Sequence, residues 1–185
     1  MSNQIWKEQL EMLNTETVQH VANVSVLCIE FAKLMKYSDD EGYMIQNVAR
    51  FHDIGKSVIP NHILDKPTKL TDKEFELVKT HSVEGERILR IFGFDDELEL
   101  SIVRGHHEKY DGSGYPDGLV GEEIPKLARL LNLIDVFEAI ASKRVYKKAW
   151  NKDKVYTFMK DNQIFDPKML KIFIENFDYL YNIIH

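Results

Sequence analysis

A chain of 185 residues that is 44% hydrophobic and 29% charged is long enough for one domain with a sizeable core and too short for two comfortable ones. Its formal charge of -6 argues against broad nonspecific nucleic-acid binding, which needs an extended basic surface, but leaves room for a small anion held through bound cations. Cys28 is the single cysteine, which excludes an intramolecular disulfide and an all-thiolate metal site, so any metal must take nitrogen and oxygen ligands.

Apolar residues recur at helical spacing almost throughout and sustained period-two alternation is missing, which predicts an all-α fold, a single helical bundle. The first helix is expected at 3–13, where Ile5, Trp6 and Leu10 are free to pack on the domain or on a second copy, allowing a homodimer. A second follows at 15–37 with the row Val24, Leu27, Phe31 and Leu34, and a third at 41–54 with Ile45, Val48 and Ala49. Thr71 with Glu74 gives a capping-box pattern that opens a helix over 71–92. Helices at 96–108 and 125–142 flank the one long irregular stretch, 109–124, whose Gly112, Gly114, Gly118 and Gly121 suit a binding loop. A helix at 152–161 and one at 167–183, opened by Asp166-Pro167, complete the chain. The amino terminus lacks a basic region followed by an apolar core, and no run approaches the roughly 20 apolar residues of a membrane span, so a cytoplasmic protein with no membrane partner is expected.

The helical rows carry histidines. His20 begins the row of Val24 and Leu27, His52 follows Ile45, Val48 and Ala49, and His81 shares a face with Val78, Gly85 and Ile88, so each is directed inward. One inward histidine is ordinarily bonded to a carbonyl; several aimed at one interior would lose solvation and repel, and a metal removes both problems. The doublets His52-Asp53 and His106-His107 suit two adjacent cations, because helical neighbours project about 100° apart. Asp53 has two oxygens with which to bridge them, and Asp135 offers another carboxylate, although alone it reads as a helix-surface aspartate. Glu16, one turn before His20, serves equally as a ligand to an additional metal or as an acidic residue of the first turn. Histidine and carboxylate ligands suit iron, manganese or zinc. Two such ions hydrolyse phosphate esters by activating a bridging water, and Lys56, one turn past His52 and Asp53, is placed to contact a phosphate oxygen. His62 and His185 fall outside the rows and read as surface residues.

The segments HDIGKSVIPNHILDKPTKLTDKEFELVKTH, HHEKYDGSGYPDGL and IPKLARLLNLIDVFEAIASKRVYKKA resemble the HD-GYP domain, a branch of the HD metal-dependent phosphohydrolases that degrades cyclic di-GMP, over about Glu16 to Pro167. The resemblance implies an all-helical fold around two or three divalent metal ions, iron or manganese foremost, with zinc or nickel also admissible. It implies metal ligands at His20, His52, Asp53, His81, His106, His107 and Asp135, with Glu16 for a third ion. Lys56 matches the lysine on the scissile phosphate, Tyr115 the tyrosine of the glycine loop, and Arg144 and Lys147 the basic residues near the ligand's phosphates and bases. Glu108 and Asp111 are expected to hold the loop rather than bind metal. Many members carry arginine where this chain has Asn23, which removes a local salt bridge and not a ligand.

The expected activity is hydrolysis of cyclic di-GMP to linear pGpG, GMP or both by a metal-bridging hydroxide, with Asp53 and Lys56 as the catalytic pair. Alternatives are a phosphohydrolase for another cyclic dinucleotide or nucleotide, and a non-catalytic receptor or interaction module working through the Gly-Tyr-Pro loop. Residues 1–14 read as a helical extension of a domain at 15–185, too short to be a sensor domain, so control by a partner protein or by metal supply is expected.

Overall fold

The computed structural model describes residues 15–142 and 149–185, with side chains from Thr17 onward in the first helix; the helix expected at 3–13 lies outside them. In chain order the helices are α1 (Thr15–Leu34), α2 (Asp39–Ala49), α3 (Asn61–Leu64), α4 (Asp72–Lys79), α5 (His81–Ile91), α6 (Glu97–Gly105), α7 (Lys126–Ala141), α8 (Lys152–Asp161), α9 (Pro167–Glu175) and α10 (Phe177–Ile183), with 3-10 turns at Ile54–Val58 and Gly121–Glu123. The all-α expectation holds among the described residues, and none of their helices is long and apolar enough to cross a membrane.

The helices start where the sequence supplies acceptors. Ser38 with Glu41 and Thr71 with Glu74 close full capping boxes, and Asp96, Asn151 and Asp166 accept from first-turn N–H groups, Asp166 ahead of Pro167 in α9. α1 ends at Leu34, short of the expected 37: Lys36 takes a positive φ of 57°, and the Tyr37 N–H returns to the Ala32 carbonyl at 3.0 Å, which closes a Schellman turn.

Four further boundaries depart from expectation. The 41–54 helix stops at Ala49 and leaves His52 and Asp53 in the turn beyond it; the 96–108 helix stops at Gly105, so His106 is its C-cap and His107 lies outside. The stretch 71–92 breaks at Thr80, whose Oγ1 donates to the Leu77 carbonyl at 2.7 Å while the His81 ring donates to Val78, competing with the backbone ladder. The stretch 167–183 breaks at Asn176, whose side chain donates to the Ile172 carbonyl at 2.8 Å and whose φ of -117° leaves the helical range.

α1 and α7 run through the centre. Leu27 and Phe31 from α1, Ile45 from α2, Leu100 from α6 and Leu130, Ile134 and Phe137 from α7 are fully buried. Phe137 meets Phe173 of α9 edge to face at 5.0 Å, so the carboxy-terminal helices pack onto the core at α7.

Candidate metal centre

His20, His52, His81 and His106 are all at least nine-tenths buried, which bears out their inward direction, and Asp53 and Asp135 join them in the interior. His107 is partly exposed at the mouth. The donor atoms fall into two neighbouring groups, one of Asp53, His81, His106 and His107 and one of His20, His52 and Asp135, each within 4.8 Å. Both aspartates reach across. Asp53 puts Oδ1 3.4 Å from His81 Nε2 and Oδ2 3.5 Å from His52 Nε2. Asp135 puts Oδ1 3.0 Å from His20 Nε2 and Oδ2 3.9 Å from His107 Nδ1. Each carboxylate therefore stands with one oxygen toward each group.

The rings are held by their far nitrogens. His52, His81 and His106 each direct Nδ1 at the carbonyl three residues back, Ala49, Val78 and Val103, at 2.7, 2.6 and 2.5 Å. A carbonyl only accepts, so the proton sits on Nδ1 and Nε2 keeps its lone pair toward the centre. His20 bonds through Nδ1 to Glu138, which also accepts from Asn23 Nδ2 at 2.8 Å. Asn132 Nδ2 donates to the His106 carbonyl at 2.9 Å and fixes the doublet's backbone.

This arrangement fits divalent cations. The Nε2 atoms of His81 and His106 stand 3.2 Å apart with both protons committed elsewhere, and His107 Nε2 is 3.1 Å from His81 Nε2. His52 Nε2 in one group and Asp53 Oδ1 in the other are buried without a hydrogen-bond partner, a costly condition that a cation in each group would remove. Electrostatics agree. Burial holds His81 below its ordinary pKa, His106 well below it, and His107 down at about 3, so these imidazoles stay neutral as ligands. Burial alone would raise Asp53, but opposing charges, the Lys56 ammonium foremost, outweigh it and keep the carboxylate ionised. Burial likewise lowers His20, but its bonds to Asp135 and Glu138 prevail and lift it to about 9.

Lys56 lies at the edge with Nζ 2.5 Å from Asp53 Oδ2. Tyr115 lies over His107, ring centroids 4.8 Å apart, and burial raises its phenol pKa so that it stays protonated. The loop that carries it is clamped. Glu108, itself buried, accepts from the backbone N–H groups of Asp117, Gly118 and Leu119 at 2.6, 3.0 and 3.1 Å, and Arg104 grips Asp117 with two 2.7 Å bonds. Asp111 accepts from Ser113. Both acids do the holding expected of them. Gly112 sits at a φ of +79°, whereas Gly114 is required by proximity: a Cβ there would lie 2.3 Å from the Lys109 nitrogen.

Arg144, Lys147 and the Glu16 side chain lie outside the described residues. His62 is exposed as expected; so is His185, although its ring stacks on Tyr181. Sequence reasoning missed Glu138 and Asn132, although each sits three residues from Asp135 on α7 and so shares its face. Asn23, where the resemblance expects an arginine, is a neutral donor to Glu138.

A family model described as the HD domain matches residues 4–169. The chain is similar to 3'3'-cGAMP-specific phosphodiesterase 2 of Vibrio cholerae, 35% identical over 176 residues, covering 91% of this chain and 33% of that protein. It is also similar to the cyclic di-GMP phosphodiesterase response regulator RpfG of Xanthomonas campestris, 40% identical over 158 residues, covering 83% of this chain and 40% of the relative. The chain thus spans between a third and two fifths of the length of these relatives. In fold it matches Bd1817, an HDG"Y"P protein from Bdellovibrio bacteriovorus, with a TM-score of 0.70 at 20% identity, covering 87% of this chain and 52% of the other.

Proposed function

The chain belongs to the HD domain family, and from that premise we propose that it is a metal-dependent phosphodiesterase that hydrolyses cyclic di-GMP to pGpG, GMP or both. The observation that carries this reading is the pair of aspartates, Asp53 and Asp135, each spanning two groups of inward-facing imidazoles. Iron or manganese is the preferred pair, with Glu16 offered to a third ion. Bound there, divalent cations supply a nucleophile at neutral pH and neutralise charge on the phosphoryl oxygens.

The chain's own residues do the rest. His52, His81 and His106 hold their lone pairs in place through carbonyl bonds, so little reorganisation accompanies the reaction. Lys56 carries a positive charge at the edge of the centre, where a nonbridging phosphate oxygen would meet it. Tyr115 closes the side of the mouth above His107 and brings a neutral hydroxyl to the nucleotide. Arg144 and Lys147 are assigned to the phosphates and bases.

Relatives of similar identity are named for cyclic di-GMP and for 3'3'-cGAMP, so a second reading is the same chemistry on another cyclic dinucleotide. A product assay on both compounds separates the two. A protein partner on the Gly-Tyr-Pro loop and a homodimer remain part of the proposal, testable by light scattering and crosslinking. The decisive experiment converts His52 and Asp53 to alanine in metal-loaded protein: turnover should vanish while the helical circular dichroism persists. Retained turnover would overturn the assignment.

A further inference from the structure

α4 is an amphipathic helix that buries none of its side chains, and its Phe75 is 47% exposed. Lys79, one turn later on the same face, has Nζ 5.0 Å from the Phe75 ring centroid and 5.6 Å from that of Tyr115. One ammonium is therefore shared by two aromatic faces, and the second of them lies 4.8 Å from the His107 ring. The helix also leads straight into the metal centre, because the Val78 carbonyl fixes the His81 ring. A hydrophobic ring left in water beside Lys79, whose ammonium is also held by Glu76 Oε1 at 2.6 Å, with Tyr115 within reach of the same cation, has the chemistry of a stacking platform for a nucleobase, since each base offers a π-face.

We propose that Phe75, together with Lys79 and Tyr115, forms a shelf at the mouth on which a purine base of the substrate stacks. The inference rests on the cyclic-dinucleotide reading and extends it to residues outside the metal centre. Stacking does not distinguish guanine from adenine, so the shelf contributes equally to cyclic di-GMP and 3'3'-cGAMP, and selectivity between them lies elsewhere.

The test compares metal-loaded full chains carrying Phe75→Ala, Phe75→Leu, Phe75→Tyr and Phe75→Trp. Phe75→Ala and Phe75→Leu should lower kcat/KM about tenfold for both dinucleotides, chiefly through KM, while the tyrosine and tryptophan variants stay near wild type. Leucine is the informative arm, since it keeps apolar bulk and loses the flat face. Leucine and alanine variants within about twofold of wild type would overturn the shelf while leaving the phosphodiesterase reading intact. Should the wild type cleave neither dinucleotide, that reading fails instead, and the shelf is judged by fluorescence: saturable quenching by GMP in Phe75→Trp beyond the wild-type signal sustains it, and no added quenching overturns it.

Discussion

Gly55 lies so close to the first turn of α5 that a Cβ on it would fall 1.9 Å from the His81 carbonyl oxygen and 2.6 Å from the Gly85 nitrogen. Nothing larger than hydrogen fits between the turn after Asp53 and the helix that begins with His81, and this contact brings the two side chains within 3.4 Å. Gly55→Ala should therefore cost at least the 1–3 kcal/mol typical of overpacking, because its clash is with backbone. The expected outcome is a melting temperature lowered by several degrees together with reduced metal content, read by calorimetry and elemental analysis.

Glu138 acts on the centre through His20. Replacing it by glutamine removes the charge that orients the imidazole, and loss of such an outer partner typically weakens metal binding about 10–100-fold. Titration of metal into Glu138→Gln should show this loss for one ion, with the fold retained. An affinity equal to wild type would mean that Asp135 orients His20 alone.

Glu108 is the anchor of the glycine loop, with three backbone donors on one carboxylate. Glu108→Gln puts an amide hydrogen toward groups that can only donate, and hydrogen bonds to a charged acceptor are worth about 1.5–3 kcal/mol each. Limited proteolysis should then cut within 109–121 sooner than in wild type, and turnover should fall about tenfold by the same energetic measure while metal content holds.

Acid should destabilise the metal-free protein. His81, His106 and His107 have folded pKa values below their ordinary 6.5, His107 down at about 3, so the unfolded chain binds more protons as pH falls below 6.5. His20 has the opposite sign: its contribution is complete below 6.5 and lost as pH rises through about 9. Urea midpoints of chelated protein should accordingly drop between pH 6.5 and 4. Loading with metal should raise the midpoint at pH 7, since the ion binds the folded state alone.

The burial of His20, His52 and His81 was legible because each extends an apolar row, and for His52 it followed the row past the point where the helix stopped. What the rows did not reveal was the stopping. His52 continues the face of Ile45, Val48 and Ala49 because i→i-3 bonds at Arg50 and Phe51 tighten the chain without turning it away. The break at Thr80 depends on side-chain bonds to carbonyls that compete with the ladder, and periodicity is blind to those. Glu138 was passed over because a glutamate on a helix ordinarily faces water; its depth is set by α1 packing across α7.

Ala49, Val78 and Val103 each stand in the final turn of a different helix, where oxygen atoms are left over by the geometry of the spiral. The imidazoles that follow consume those leftovers. Three chain terminations thus aim three lone pairs into one interior, His81 and His106 toward one donor group and His52 toward its neighbour, so these donors are set in place as folding completes.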